Sequence, residues 1–286
     1  MSLEKRFTLN DLRAARESGA KIPMLTCYDY STARVMQQAG VPMLLVGDSA
    51  ASVILGHDST LPVSLDFMIE LTAAVRRGAP LAMVVGDMPF GSYQTSDEQG
   101  IANVFHMVQA SGCDAVKLEV AMGHGPLVRR VADAGVAVVA HMGLRPQAVG
   151  LLGGYRFQGR TADEARELVA SSLHFQEQGA AVILLEAVPP EVAKAVVDAT
   201  SIPVIGCGAG PSCHASVIVT QDAIGLSVRR PKFVPELGDI AGRMREAFEG
   251  YVSAVRRGVY PAAGHNYEMP AEQREAFLAD PLGKRA

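Results

Sequence analysis

Little in this sequence favours disulfides, membrane insertion or nucleic-acid binding. Its four cysteines, Cys27, Cys113, Cys207 and Cys213, form no C-x-x-C pair, and no second pair sits at zinc-finger spacing. Free thiols in a reducing compartment are therefore expected. No run approaches the ~18 apolar residues that a membrane helix needs. The start, MSLEKRFTLNDLRAARESGAK, has no apolar h-region, so no secretory leader is expected. The 26 Lys and Arg residues do not outnumber the 30 Asp and Glu, and the net charge is −4. With no basic patch, nucleic acid is an unsuitable partner. Linkers, charge runs and low-complexity segments are missing as well. The expectation is one cytoplasmic domain acting on small molecules.

What is present is a regular alternation. Hydrophobic residues make up 49% of the 286 positions, enough for a large core. Short apolar runs at 23–27, 43–46, 81–85, 114–118, 136–140, 181–185, 203–206 and 217–220 read as strands. Several are apolar at consecutive positions, as expected when both faces of a parallel sheet are covered. Helices are predicted at 30–39, 65–77, 125–134, 190–199 and 237–256. Two more follow capping boxes at Ser96-x-x-Gln99 and Thr161-x-x-Glu164. Glycine often stands just past a helix, in QQAG, QASGCD, VADAGV and QEQGAA, which is C-cap chemistry before a return strand. Eight β/α phrases at this length argue for an α/β fold, a (β/α)8 barrel. A doubly wound sheet is the other arrangement considered. The expected domain is 1–286, with a polar C-terminal segment from about 259.

A barrel enzyme builds its site at the C-terminal ends of its strands. The residues closing the runs are Asp48 and Ser49, Asp87, Lys117 and Glu119, His141, and Glu186, followed by the glycines of GCGAG at 206–210. Carboxylates brought together repel one another unless a cation or a proton compensates. Asp48, Asp87 and Glu119 are hard oxygen donors from adjacent strands, a set that suits Mg²⁺. Taken singly, each is also a reasonable helix N-cap. Glu186, across the barrel, is either a general base or half of a structural ion pair. Lys117, inside an apolar strand, needs an anion. It pairs with Glu119, holds a substrate carboxylate, or forms a Schiff base. His141 either orients ligands or is a satisfied core histidine. GCGAG lacks the G-x-G-x-x-G spacing, and its glycines allow close backbone approach to a ligand or a helix. The Gly-Asp endings at 47–48 and 86–87 suggest a small residue that lets each strand end sit close to the ion and substrate.

The stretches TCYDYSTARV, LLVGDSAASVILGHDSTLPVSLDFM, VVGDMPFGSYQTS, AVKLE, AHMGLRPQ, GGYRFQGRTADEA, LLEAVPPEVA and IPVIGCGAGPSC resemble the 3-methyl-2-oxobutanoate (ketopantoate) hydroxymethyltransferase family. The likeness runs in order from about residue 6 to residue 267. It implies a (β/α)8 TIM barrel of the phosphoenolpyruvate/pyruvate superfamily type. It also implies transfer of a one-carbon unit from 5,10-methylenetetrahydrofolate to 3-methyl-2-oxobutanoate, giving 2-dehydropantoate. That is the first committed step towards pantothenate and coenzyme A, and it proceeds through a Mg²⁺-stabilised enolate. Carried over residue by residue, Asp48, Asp87 and Glu119 would ligate Mg²⁺. Asp48, Ser49, Asp87 and Lys117 would contact the oxo acid, with His141 at the pocket edge, and Glu186 would accept the proton. The family forms homo-oligomers, decamers or octamers.

The sequence departs from the family pattern at several places. Ala50-Ala51-Ser52 replaces Leu-Gly-Met, Ser212-Cys213-His214-Ala215 replaces Asp-Cys-Asp-Gly, and Gln221-Asp222 replaces His-Asp. GCGAG replaces GIGAG. These positions are expected on the rim where the folate or the substrate side chain sits. They leave open a related Mg²⁺-dependent hydroxymethyltransferase or C–C lyase for another 2-oxo acid, and a non-catalytic barrel that senses a keto acid.

Overall fold

The computed structural model describes residues 3–281. Eight parallel strands close into a barrel in sequence order: β1 Ile22–Thr26, β2 Met43–Val46, β3 Met83–Asp87, β4 Ala115–Glu119, β5 Ala137–Gly143, β6 Val182–Glu186, β7 Val204–Cys207 and β8 Ala215–Ile218. β8 returns to pair with β1, so no strand edge is left open. Each predicted strand lies within two or three residues of an observed one. The helix Pro190–Ala199 coincides with its prediction, and those at Tyr30–Gln38, Leu65–Gly78 and Gly125–Asp133 end within one residue of theirs.

Two apolar layers hold the barrel. Inside it pack Met24, Met43, Leu45, Met83, Val85, Val139, Leu184, Ile205 and Val217. Outside, Leu44, Val84, Val116, Leu118, Ala140, Ile183 and Leu185 meet the helices. The strands therefore alternate inward and outward, although the consecutive apolar residues hide the alternation in the sequence. Thr161 and Glu164 form the expected capping box. Ser96 caps its helix through Gln99 N–H, but the Gln99 side chain turns to the Thr95 hydroxyl instead of completing a box.

No helix separates β7 from β8; the loop 208–214 joins them. Gly208 and Gly210 both have positive φ. A Cβ on Gly208 would lie 2.7 Å from the Phe233 ring, and one on Gly210 would lie 2.7 Å from Pro190. The close approach is thus to protein, and the loop runs from the top of β7 to the bottom of β8. This corrects the expectation for Ser212 and His214. Lys21, which precedes β1, donates to the carbonyls of Ser212 and Cys213, so these residues lie at the end of the barrel opposite the strand C-termini.

His214 is buried there, and Val204 N–H donates to its Nδ1 at 2.9 Å. Burial first, then Arg16 and Lys21, lower its pKa below the ordinary 6.5. The unfolded chain therefore takes up the proton first as pH falls. The neutral ring's stabilisation is complete above about 6.5 and is lost progressively below it. In thermal melts between pH 8 and 5, His214→Gln should lose less stability on acidification than the wild type. Parallel curves would show that His214 does not contribute.

The chain divides into two compact units, 1–237 and 238–286. The first is the barrel. The second holds the helices Ile240–Arg256 and Ala271–Ala279. Among the described residues no helix is long and apolar enough to cross a membrane, and all four cysteines are free and buried.

Candidate active site

β4 shows how sequence becomes site. In Ala-Val-Lys-Leu-Glu, Val116 and Leu118 belong to the outer layer and Ala115 to the inner one. The period of two then turns Lys117 and Glu119 into the barrel. By the same alternation Asp87 closes β3, His141 sits in β5 two residues before Gly143, and Glu186 closes β6, all on inward positions. Strand register sets their neighbours: Asp87 stands opposite Lys117, and Glu119 opposite His141.

Lys117 Nζ lies 2.7 Å from Asp87 Oδ1, and both groups are buried. Asp87 Oδ2 accepts the Asp48 backbone N–H at 2.9 Å. Burial alone would lower the Lys117 ammonium, but Asp87, Asp48 and Glu119 together raise it well above lysine's ordinary range. A lysine held charged in this way is no Schiff-base nucleophile. Its partner is Asp87, where the sequence reading offered Glu119. Lys117 Nζ also lies 3.3 Å from His141 Nδ1. His141 Nε2 lies 3.2 Å from Glu186 Oε2. Burial, then Lys117, lowers the His141 pKa, so the ring is neutral. His141 is expected at the pocket edge; it is instead buried at the centre, linking the Asp87–Lys117 pair to Glu186.

One cavity of about 130 Å³ gathers most of the expected residues: Asp48, Ser49, Asp87, Lys117, His141 and Glu186. Glu186 is the more open partner in its contact with His141, its side chain 21% exposed against 2%. The opposite wall, with Leu184, Cys207, Val217 and Phe233, is apolar. Ser49 Oγ shares a 2.8 Å hydrogen bond with Tyr28 Oη. Immediately after Glu186, Ala187 takes a φ of 48°, a left-handed conformation that costs a non-glycine residue energy. It turns the chain sharply behind the carboxylate.

Glu119 does not line this cavity. It opens on a neighbouring one of about 380 Å³ with Phe90, Tyr93, Arg145 and Gln147. Burial pushes its carboxyl up to about 9, with Asp48 and Asp87 adding to the effect and Lys117 opposing it. Among the described residues no three His, Cys, Asp or Glu groups converge as a finished metal site. The chemistry of the set still fits a hard cation. Three buried carboxylates face one ammonium, and Glu119 Oε1 is buried without a hydrogen-bond partner. A divalent ion with open positions would satisfy both.

The two Gly-Asp endings have different causes. A Cβ on Gly86 would lie 3.1 Å from Met107 Sδ, in the outer layer under the helix Asp97–Ser111. Gly86 serves packing there and does not approach the site. A Cβ on Gly47 would lie 2.8 Å from Ser49 Oγ, so this glycine makes room for a cavity residue. Of the departures from the family pattern, Ala50 and Ala51 are buried behind Asp48. Cys207, the departure within GCGAG, lines the cavity, as does Asp222, the unchanged neighbour of Gln221.

Gln147 and Tyr93 escape the sequence reading. Gln147 N–H donates to Glu119 Oε2 at 3.0 Å, and its Nε2 donates to Asp48 Oδ2 at 3.0 Å. Tyr93 Oη accepts Glu119 N–H at 3.1 Å. No carboxylate or imidazole marks either residue, and both sit in loops. Only the stretches PFGSY and GLRPQ point towards them.

Residues 6–263 match the family described as ketopantoate hydroxymethyltransferase. A 3-methyl-2-oxobutanoate hydroxymethyltransferase of Thermobifida fusca (strain YX) is 44% identical over 268 residues, 93% of this chain and 95% of that protein. One from Desulfotalea psychrophila (strain LSv54 / DSM 12343) is 41% identical over 276 residues, 96% and 99% of the two chains. Among solved structures, phosphonopyruvate hydrolase in complex with oxalate and Mg²⁺ superposes with a TM-score of 0.60 at 15% identity, covering 96% and 99% of the chains. 2,3-Dimethylmalate lyase, of the PEP mutase/isocitrate lyase superfamily, gives 0.57 at 18% identity, with 96% of each chain covered. At these identities the structural likeness speaks for the barrel fold alone.

Proposed function

Because the chain belongs to the ketopantoate hydroxymethyltransferase family and hydroxymethylates 3-methyl-2-oxobutanoate in pantothenate biosynthesis, we propose that Glu186 is the base that opens the reaction. The observation that carries this is the shared cavity: Glu186 faces the buried Asp87–Lys117 pair across the barrel. An oxo acid whose carboxylate and keto oxygen point at Asp48, Ser49, Asp87 and Lys117 turns its C3–H towards Glu186 and its two methyl groups to the wall of Leu184, Cys207 and Val217.

Asp48, Asp87 and Glu119 would hold a divalent cation, Mg²⁺ by their hardness. When bound, it supplies Lewis-acid polarisation of the substrate carbonyl. Lys117, buried beside Asp87, offsets the substrate's negative charge. Glu186 takes the C3 proton onto a carboxylate oxygen, and His141 Nε2, 3.2 Å away, flanks that carboxylate. The carbon left at C3 attacks the methylene carbon of 5,10-methylenetetrahydrofolate, the co-substrate we assign, forming the C–C bond as one C–N bond to the folate breaks; a water then displaces the remaining folate nitrogen, which takes a proton, so that 2-dehydropantoate and tetrahydrofolate leave.

The same reading makes the protein cytoplasmic and homo-oligomeric. Four unpaired thiols support the first. Apolar side chains left exposed along 240–255, Ile240, Met244, Phe248, Tyr251, Val252 and Val255, support the second.

Proton NMR of 3-methyl-2-oxobutanoate in D2O tests the chemistry. With enzyme and Mg²⁺ the C3 proton signal should disappear, and EDTA should stop its loss. Exchange that persists in EDTA would remove the cation from the mechanism. Exchange only with a different 2-oxo acid would change the substrate.

A further inference from the structure

A carboxamide offers two donors and one oxygen acceptor, and Gln147 uses all of them at the acidic cluster. Its Nε2 donates to Asp48 Oδ2 and to the Met88 carbonyl, both at 3.0 Å. Its Oε1 accepts from Tyr93 Oη and Gln94 Nε2, again at 3.0 Å. The backbone contributes as well. Gln147 lies in the turn Pro146–Ala148, at the start of which backbone N–H groups have no internal partner. Its N–H goes to Glu119 Oε2. One buried residue thus touches the C-terminal ends of three successive strands: Asp48 just past β2, Met88 just past β3 and Glu119 closing β4. Tyr93 secures Glu119 again through its backbone N–H.

We propose that Gln147 is the positioning residue of the acidic cluster, fixing Asp48 and Glu119 so that one oxygen of each is left for a divalent cation. It occupies Oδ2 of Asp48 and Oε2 of Glu119. The oxygen it leaves on Glu119, Oε1, is buried without a hydrogen-bond partner, His141 Nδ1 lying 3.7 Å away. Neutrality is part of the role. A lysine or arginine here would cancel the negative charge that attracts the ion, and a glutamate would add a fourth carboxylate beside Asp48. An amide orders the carboxylates while leaving their charge intact. Residues that orient metal ligands in this way commonly govern affinity by about 10–100-fold.

This inference rests on the metal reading above, and Mn²⁺ binding to the full-length, EDTA-stripped protein, followed by electron paramagnetic resonance, separates the two. Gln147→Leu keeps the volume and removes every side-chain hydrogen bond. It should weaken Mn²⁺ binding by about 10–100-fold, and excess Mg²⁺ should recover much of the kcat. A purely structural role would lower the melting temperature without that recovery. Tyr93→Phe, which removes one hydroxyl, should weaken Mn²⁺ binding in the same direction and serves if Gln147→Leu does not fold. Variants that bind Mn²⁺ as the wild type does would overturn the role of Gln147 alone. A wild type that binds neither Mn²⁺ nor Mg²⁺ would overturn the metal reading, and this proposal with it.

Discussion

Glu186→Gln is expected to bind 3-methyl-2-oxobutanoate yet leave its C3 proton in place in D2O, with kcat reduced by about a hundred- to ten-thousand-fold. Gln is nearly isosteric and keeps an oxygen beside His141 Nε2, which lies 3.2 Å from the carboxylate in the wild type. The cavity therefore keeps its shape and loses only the proton acceptor. Substrate affinity is read separately, by calorimetric titration in the presence of Mg²⁺. Retained exchange at the wild-type rate would disprove the assignment. Lost exchange together with lost binding would mean that Glu186 positions substrate and does not take its proton.

Lys117→Met should be the most destabilising of the substitutions considered. It leaves Asp87 buried with no cation beside it, and breaking such a pair typically costs about 3–5 kcal/mol. For a chain of this size that corresponds to roughly 10 °C in Tm. The effect carries a pH signature. Burial already pushes the Asp87 carboxyl up, and Lys117 is the first charge opposing that rise. Without Lys117, the folded protein holds the Asp87 proton more tightly than the unfolded chain does. Its stability is then highest at low pH and falls as pH rises through the folded pKa. Melts in EDTA from pH 5 to 8 should show the defect of Lys117→Met growing with pH. Adding Asp87→Asn should recover the stability across the range but not the activity. Equal Tm values for wild type and Lys117→Met would mean that Asp87 is not carried as a buried anion.

Much of the site is legible in the chain because a parallel barrel presents strand ends in sequence order. Asp87, Glu119 and Glu186 are the last residues of β3, β4 and β6, and short apolar runs bounded by polar residues mark such ends directly. The family motifs, dense around these positions, carry their roles. The site is less legible where the fold brings together residues that no local pattern connects. Gln147 reaches Asp48 across 99 positions, and nothing about an amide in GLRPQ forecasts that contact. A histidine in an apolar run looks the same at an edge or at a centre: the residues alone leave His141 as a ligand-orienting or a core histidine, the family likeness puts it at the pocket edge, and the fold buries it. Ser212 and His214 are expected on the rim with the other departures from the family pattern, and the loop 208–214 carries them to the other end of the barrel.

The linear order of residues dictates the periodicities, and with them the strands, their order and the inward-facing positions. It does so because alternation and capping are local properties of a chain. Which charge neutralises which comes from the three-dimensional register alone. Lys117 and Glu119 lie two residues apart on one strand, roughly 6.5 Å at the usual rise, whereas neighbouring strands lie only about 4.8 Å apart. The register of β3 against β4 puts Asp87 at the nearer distance. That single alignment gives the ammonium to Asp87, leaves Glu119 to Gln147, and brings His141 between the buried pair and Glu186.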